Sequence, residues 1–309
     1  MKFYSNIISF LFFVIMSSTC FSQNTSYCPE QMLLIQKYKS KNYLNASHYI
    51  DTVLIQCPDK SSDAYFLHLC GFINFNIYRE IDGKSSSSSA RSAACDYFIK
   101  SVNYDNKNQF TEKNLQAINS FSISYINDAL MIMQKMEFKN QSKALEYYNT
   151  FKKLKSIAEP NYDFSNISID FFNGMGRMYK MRYENDKINS KNLLDSCINY
   201  FNKSLALNPN QYTPNYDLGI LYHNLGVDII LEELDIDADL EMVILMQEQA
   251  VDYFSKSLPY LEKVYQMKPE ETSIVQGIAA VYYSLNDMEK HVEFMNILKG
   301  LESKNSGDN

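Results

Sequence analysis

The chain has 309 residues, 46% of them apolar and 21% charged, and a formal net charge of −7. That length and composition allow one elongated domain or two compact ones with a large core, and exclude a globally disordered chain. An acidic chain without a basic stripe makes a poor nucleic-acid binder, since phosphate contacts need clustered Lys and Arg. With only 9 Gly and 7 Pro, it also lacks the frequent tight turns of an all-β sandwich.

The chain opens on a segment with the form of a secretory signal. Lys2 supplies a positive start. Ile7 to Met16 is a mostly apolar run too short to span a bilayer, and small residues follow at Ser17, Ser18 and Thr19. Cleavage is expected between Ser22 and Gln23, so residues 1–22 form the signal peptide. A lipid anchor at Cys20 is the less favoured reading. Ser17 stands where a lipoprotein signal wants a Leu-like residue. No later apolar run is long enough for a membrane span. The expected product is exported to the periplasm or cell surface of a Gram-negative bacterium, soluble or peripherally associated with the envelope. Export permits disulfides, and the five cysteines beyond the leader leave at least one unpaired.

Helical pairs follow. In the segment 29–58, Ala46, Ile50, Val53 and Pro58 are spaced by four, three and five residues, which puts the first three on one helix face. Cys28 opens the first helix there and Cys57 closes the second. Antiparallel packing would bring those ends together, which makes Cys28–Cys57 the best disulfide candidate. In the segment 62–104 the same steps recur at Ala94, Phe98, Ser101 and Asn106, and Cys70 with Cys95 is a weaker candidate pair. The run Ser85–Ser89 is a loop between helices. The segment 111–160 keeps the steps at Ala144, Tyr148 and Phe151, with Pro160 arriving late.

Residues 166–302 show the pattern most clearly. MGRMY at 175–179 precedes Cys197, Phe201, Ser204 and Pro209. LGILY, with Gly219, precedes Ser257, Leu261, Val264 and Pro269. IAAVY, with Ala279, precedes His291, Met295 and Leu298. Thr213-Pro214 reads as an N-cap followed by proline at the first helical position. A short phrase recurs three times, YFIKSV at 97–102, YFNKSL at 200–205 and YFSKSL at 253–258. Its Phe and Ser fall on the core-facing side and its Lys toward solvent. The glycosylation-like triplet Asn202-Lys203-Ser204 is therefore read as accidental. The tail Ser303–Asn309 is polar and expected to fray.

This arrangement resembles the tetratricopeptide repeat, a helix–turn–helix unit of about 34 residues. The resemblance implies an all-α fold, a right-handed superhelical solenoid of about six antiparallel helix hairpins over residues 23–302. Two units depart from the family length. The one from Gly176 to Cys197 is longer by roughly nine residues and the one from Gly219 to Ser257 by roughly twenty-six. The second helix of the latter is expected to be about two turns longer. The resemblance also implies a concave surface, lined mainly by first helices, that binds peptides or protein surfaces. The lining residues expected from helix faces are Asn173, Arg177, Lys180, Tyr216, His223, Asn224, Gln276 and Tyr283.

The chemical motifs point away from an enzyme. His48, His68, His223 and His291 form no pair with ligand spacing. Asp235, Asp237 and Asp239 imitate the start of a calcium loop. Leu240 and Met246 then stand where glycine and a bidentate glutamate are required, so the stretch 231–241 reads as an acidic bend. No phosphate loop, dinucleotide motif, nucleophile elbow or zinc-protease helix occurs. The expectation is a non-enzymatic scaffold without cofactor or metal, binding a protein or peptide. The alternative is a small-ligand or glycan-binding envelope component, motivated by 24 Tyr and 19 Phe.

Overall fold

The structure is a computed structural model that describes residues 28–233 and 239–307. The signal segment, the Cys20 anchor and the acids Asp235 and Asp237 lie outside the described residues. Every regular element described is helical, and none is a strand.

Among the described residues, twelve α-helices pack as six adjacent pairs: α1 (Pro29–Lys39) with α2 (Tyr43–Gln56), α3 (Ala64–Asn76) with α4 (Ser89–Tyr104), and α5 (Thr111–Gln134) with α6 (Gln141–Ala158). They continue as α7 (Ser165–Asn185) with α8 (Leu194–Leu207), α9 (Tyr212–Asp228) with α10 (Leu240–Met267), and α11 (Thr272–Ser284) with α12 (Met288–Gly307). Successive pairs also touch, α2 with α3, α4 with α5, α8 with α9 and α10 with α11. The first helices α5, α7 and α9 meet in turn. Short π-helical segments, Ile77–Ile81 and Ile229–Glu233, extend α3 and α9.

Local chemistry sets many boundaries. Pro29 starts α1, where a missing N–H costs nothing. Asp63 caps α3 by accepting the Phe66 N–H at 3.0 Å. Lys41, Asn108, Met136 and Asn286 take left-handed backbone in the turns that join paired or successive helices. Asp105 organises the start of α5. Its carboxylate accepts the N–H groups of Gln109, Phe110 and Thr111 and the Thr111 hydroxyl, at 2.7–3.0 Å. Burial pushes against ionisation there, but these donors outweigh it and hold the carboxyl below its ordinary range.

The thrice-repeated phrase is a packing device in which Phe and Lys find a partner in every copy and Ser in two of the three. Phe98, Phe201 and Phe254 are buried, and each lies against a glycine of its paired first helix. A Cβ on Gly71 would sit 2.5 Å from Phe98, one on Gly176 2.7 Å from Phe201, and one on Gly226 2.6 Å from Phe254. The buried serines stitch second helix to first: Ser101 donates to the Ala64 carbonyl and Ser257 to the Gly219 carbonyl, both at 2.7 Å. Ser204 is buried without a partner. The lysines lie over the tyrosine three residues earlier, Lys100 at 5.8 Å from Tyr97, Lys203 at 5.1 Å from Tyr200 and Lys256 at 5.4 Å from Tyr253. In α10 the phrase sits one heptad before Leu261, which packs on Gly219 as Phe201 does on Gly176. This helix runs to 28 residues against 14 in α8, so one long helix carries both contacts.

Three sequence expectations change. Helix α9 starts at Tyr212, with Gln211 at the cap position and no side-chain cap from Thr213. The reason is local. The Asn215 amide donates to the Pro209 and Gln211 carbonyls and starts the helix earlier, while Pro214 still lies among the first N–H positions that need no helical acceptor. Helix α12 continues to Gly307, through most of the segment expected to fray. Cys70 and Cys95 are free thiols. Both are buried, and no disulfide joins them. Cys28 and Cys57 are joined, with their Cα atoms 6.2 Å apart.

Candidate partner-binding surface

Asn173, Arg177 and Lys180 are spaced by four and three residues on α7 and turn toward α9. There Asp217 receives two cations, Arg177 Nε at 3.1 Å and Lys180 Nζ at 2.9 Å. The Asn173 amide donates to Gln211 Oε1 at 3.4 Å. Tyr216, one residue before Asp217, stacks on Tyr212 with centroids 5.8 Å apart. The structure therefore gathers Asn173, Arg177, Lys180 and Tyr216 at one junction between first helices. Lys180 is largely buried there. The Arg177 side chain is half-exposed and commits only its Nε, which leaves its Nη donors facing solvent.

This junction continues toward α11. The Tyr212 hydroxyl donates to Glu271 Oε1 at 2.9 Å, and Lys268 lies 4.2 Å over the Tyr212 ring. Burial, then the Glu271 carboxylate, pushes the Tyr212 phenol up to about 12. The Tyr212 hydrogen bond is in turn the main reason the Glu271 carboxyl is held low.

The remaining expected residues lie apart from that cluster. His223 is half-buried against the Phe254 ring at 5.5 Å, and burial lowers its pKa, so it is neutral at pH 7. Asn224 and Gln276 are exposed on α9 and α11. Tyr283 is 62% exposed, with its ring 5.3 Å from that of His291. The residues that sequence reasoning missed are Asp217, Gln211 and Glu271, the acceptors that fix these donors. Asp217 stands two residues before Gly219, where the helix period turns it toward α7. That signal could have been read once α7 and α9 were taken as neighbours.

Groups suited to chemistry elsewhere are already engaged. A cavity of about 600 Å³ is lined by Lys60, Asp63, Tyr65, Asp105 and Phe110 among others. Lys60 is spent on Asp63 at 2.8 Å, and Asp105 is filled by its four donors. His68 joins a polar chain through Asn114 and Ser101 to the Ala64 carbonyl, with contacts of 2.6, 2.9 and 2.7 Å. Burial lowers its pKa. Among the described residues, the one group with metal-ligand proximity is Cys28, Glu30 and Cys57, and its two sulfurs are bonded to each other. Burial pushes the Cys95 and Cys197 thiols up to about 12 and the Cys70 thiol higher still, so none is a thiolate at neutral pH. No described helix is long and apolar enough to cross a membrane. The chain matches no protein-family profile, and no curated protein is detectably similar to it.

Proposed function

We propose that this protein is an exported, non-enzymatic scaffold of tetratricopeptide type that holds a protein or peptide partner against its first helices. In this reading the six pairs are antiparallel hairpins stacked as a right-handed solenoid, which leaves the first helices lining a concave face. The recurrent fit of one bulky side chain on one small residue supports a repeat: Phe98 on Gly71, Phe201 on Gly176 and Leu261 on Gly219. The observation that carries partner binding is the α7–α9 junction. There Arg177 is oriented by Asp217 yet keeps open donors. A pre-oriented guanidinium suits a carboxylate or a backbone carbonyl of an extended segment.

The test is affinity capture from envelope extracts, with the purified protein and an Arg177→Glu/Asn224→Ala variant as baits. Proteins retained by the first bait and lost from the second support the reading. If neither retains a protein while a glycan raises the melting temperature, the scaffold reading fails and glycan binding replaces it.

A further inference from the structure

A cavity of about 590 Å³ lies where the end of α8 meets α9 and the second half of α10. Small-ligand sites run to about 300–1,000 Å³, so the size is suitable. Leu205, Pro209, Tyr222, Pro259 and Tyr260 make its walls largely apolar. Asn215 and Tyr222, one heptad apart on α9, both line it. Asp217, two residues from Asn215, turns to α7 instead, so the cavity and Arg177 lie on different sides of α9. The rings of Tyr222 and Tyr260 are near parallel, at 22° with centroids 5.9 Å apart.

Two acceptors open into this apolar space. Asn215 is only 2% exposed, and its Nδ2 is committed to the Pro209 and Gln211 carbonyls. Its Oδ1 accepts no hydrogen bond from any described residue, yet it is not sealed off as the unpartnered Ser204 hydroxyl is. A buried acceptor left open costs free energy that an arriving donor recovers. Pro259 creates the second acceptor. It lies inside α10 and has no N–H, so the Ser255 carbonyl four residues earlier loses its helical donor. Ser255, Pro259 and Lys263 follow one face of α10 at intervals of four, and all three line the cavity. Proline inside a 28-residue helix breaks a strong local rule, and such departures concentrate at functional sites.

The donors and charges define the ligand. Among the described residues, the Tyr222 and Tyr260 hydroxyls have no hydrogen-bond partner. Burial pushes the Tyr222 phenol up to about 12, so it stays a donor at neutral pH. Lys256 is held by Asp252 at 2.6 Å, whereas half-buried Lys263 makes no ion pair among the described residues. No acidic residue is among those lining the cavity. A cation would meet two lysines and no carboxylate. A simple fatty acid would bring no donor to Asn215 or Ser255. A hydroxylated ring with an apolar face and a negative charge meets every group.

We propose that this cavity binds an acidic saccharide: a uronate unit with its C–H face on Tyr222 and Tyr260, its hydroxyls donating to Asn215 Oδ1 and the Ser255 carbonyl, and its carboxylate on Lys263. The site is separate from the α7–α9 junction and does not depend on a protein partner there.

The test is calorimetric titration of the protein with trimers of galacturonate, glucuronate and mannuronate. Maltotriose, which is neutral, and a proline-rich peptide serve as controls. At least one uronate trimer is expected to bind saturably and 1:1, at least about tenfold tighter than maltotriose. Lys263→Gln is expected to remove that preference, and Arg177→Glu to leave binding within about twofold. Pro259→Ala restores the N–H that the Ser255 carbonyl lacks. It should raise the melting temperature and yet weaken binding at least about tenfold, an opposition that a purely structural role would not produce. Circular dichroism verifies that the variants are folded. Absence of saturable binding by all three trimers overturns the proposal, as does unchanged affinity in Lys263→Gln and Pro259→Ala. Tighter binding of the proline-rich peptide, lost in Pro259→Ala, also overturns it and gives the cavity to a protein segment.

Discussion

Arg91 offers the sharpest test of how the α3–α6 region is held together. It is fully buried on α4, and its charge is met by one carboxylate, Asp128 of α5, bonded to Nη1. The guanidinium carbon lies 3.4 Å from the centroid of Tyr125, with Tyr147 at 5.6 Å and Tyr78 at 5.9 Å. Nε and Nη2 make no hydrogen bond, so the tyrosine faces and Asp128 are all that replaces water. Asp128→Ala removes that counter-charge. At an effective dielectric of about 20 and ~4 Å separation the lost attraction is about 4 kcal/mol. Stranding a buried charge costs about 3–5 kcal/mol by the same reasoning. Arg91→Met removes the charge that needed compensation. Asp128 keeps a 23% exposed side chain and can hydrate, so the loss is mainly the cation–π contact, about 2 kcal/mol. The expected order is therefore Asp128→Ala well below Arg91→Met, and both below the parent. Urea unfolding followed by circular dichroism measures the three stabilities. In a thermal scan Asp128→Ala should fall by about 6–10 °C, at about 2 °C per kcal/mol for a chain this long. Hydrogen exchange should place the loosening in α3–α6. If Asp128→Ala costs less than about 1 kcal/mol, or less than Arg91→Met, the buried-charge argument is wrong.

Other expectations follow from single contacts. Gly176→Ala sets a Cβ 2.7 Å from Phe201 and should cost about 1–3 kcal/mol, whereas Gly277→Ala meets nothing closer than 3.8 Å and should be neutral or stabilising; paired chemical denaturation curves distinguish them. Reducing Cys28–Cys57, which closes 29 residues of sequence, should lower stability by about 3–4 kcal/mol and expose α1 and α2 to proteolysis first. Unchanged cleavage rates on reduction would refute that. Asp105→Asn should destabilise at pH 7, because its ionised carboxylate collects the N–H groups that start α5. The folded pKa is depressed, so this stability is present above the ordinary value of 3.8 and is lost as pH falls through the lower folded value. The gap between variant and parent should therefore close in acid, and a gap unchanged at pH 3 or widening there would contradict the assignment.

Much of the helical layout was legible because core spacing repeats. The steps Cys197, Phe201 and Ser204 and their counterparts mark buried helix faces, and all three of these residues are buried. The Cys28–Cys57 proximity could be read for a similar reason, since paired helices bring the start of one beside the end of the other. The Cys70–Cys95 expectation failed because similar height on paired helices does not fix the direction in which each side chain points. The start of α9 was misplaced because Thr213-Pro214 carries a strong local signal, while the Asn215 amide bonds that override it depend on the turn at Pro209.

The sequence by itself determined the helical character, the order of the pairs, and the small and bulky positions on their buried faces. Those follow from a period of 3.6 residues and from small and bulky residues recurring at fixed steps on one helix face, both local properties. Tertiary structure alone decided which donors remain available. Asn173, Arg177 and Lys180 look alike on a helix face. Only the arrival of Asp217 from a helix about forty residues away makes Lys180 a structural anchor and leaves Arg177 with open donors. The same holds at the C-terminal end of α9, where residues far apart in sequence, Leu231, Phe254 and Met288, line one groove. Distance along the chain carries no information about such meetings, because they depend on how neighbouring pairs are set against each other.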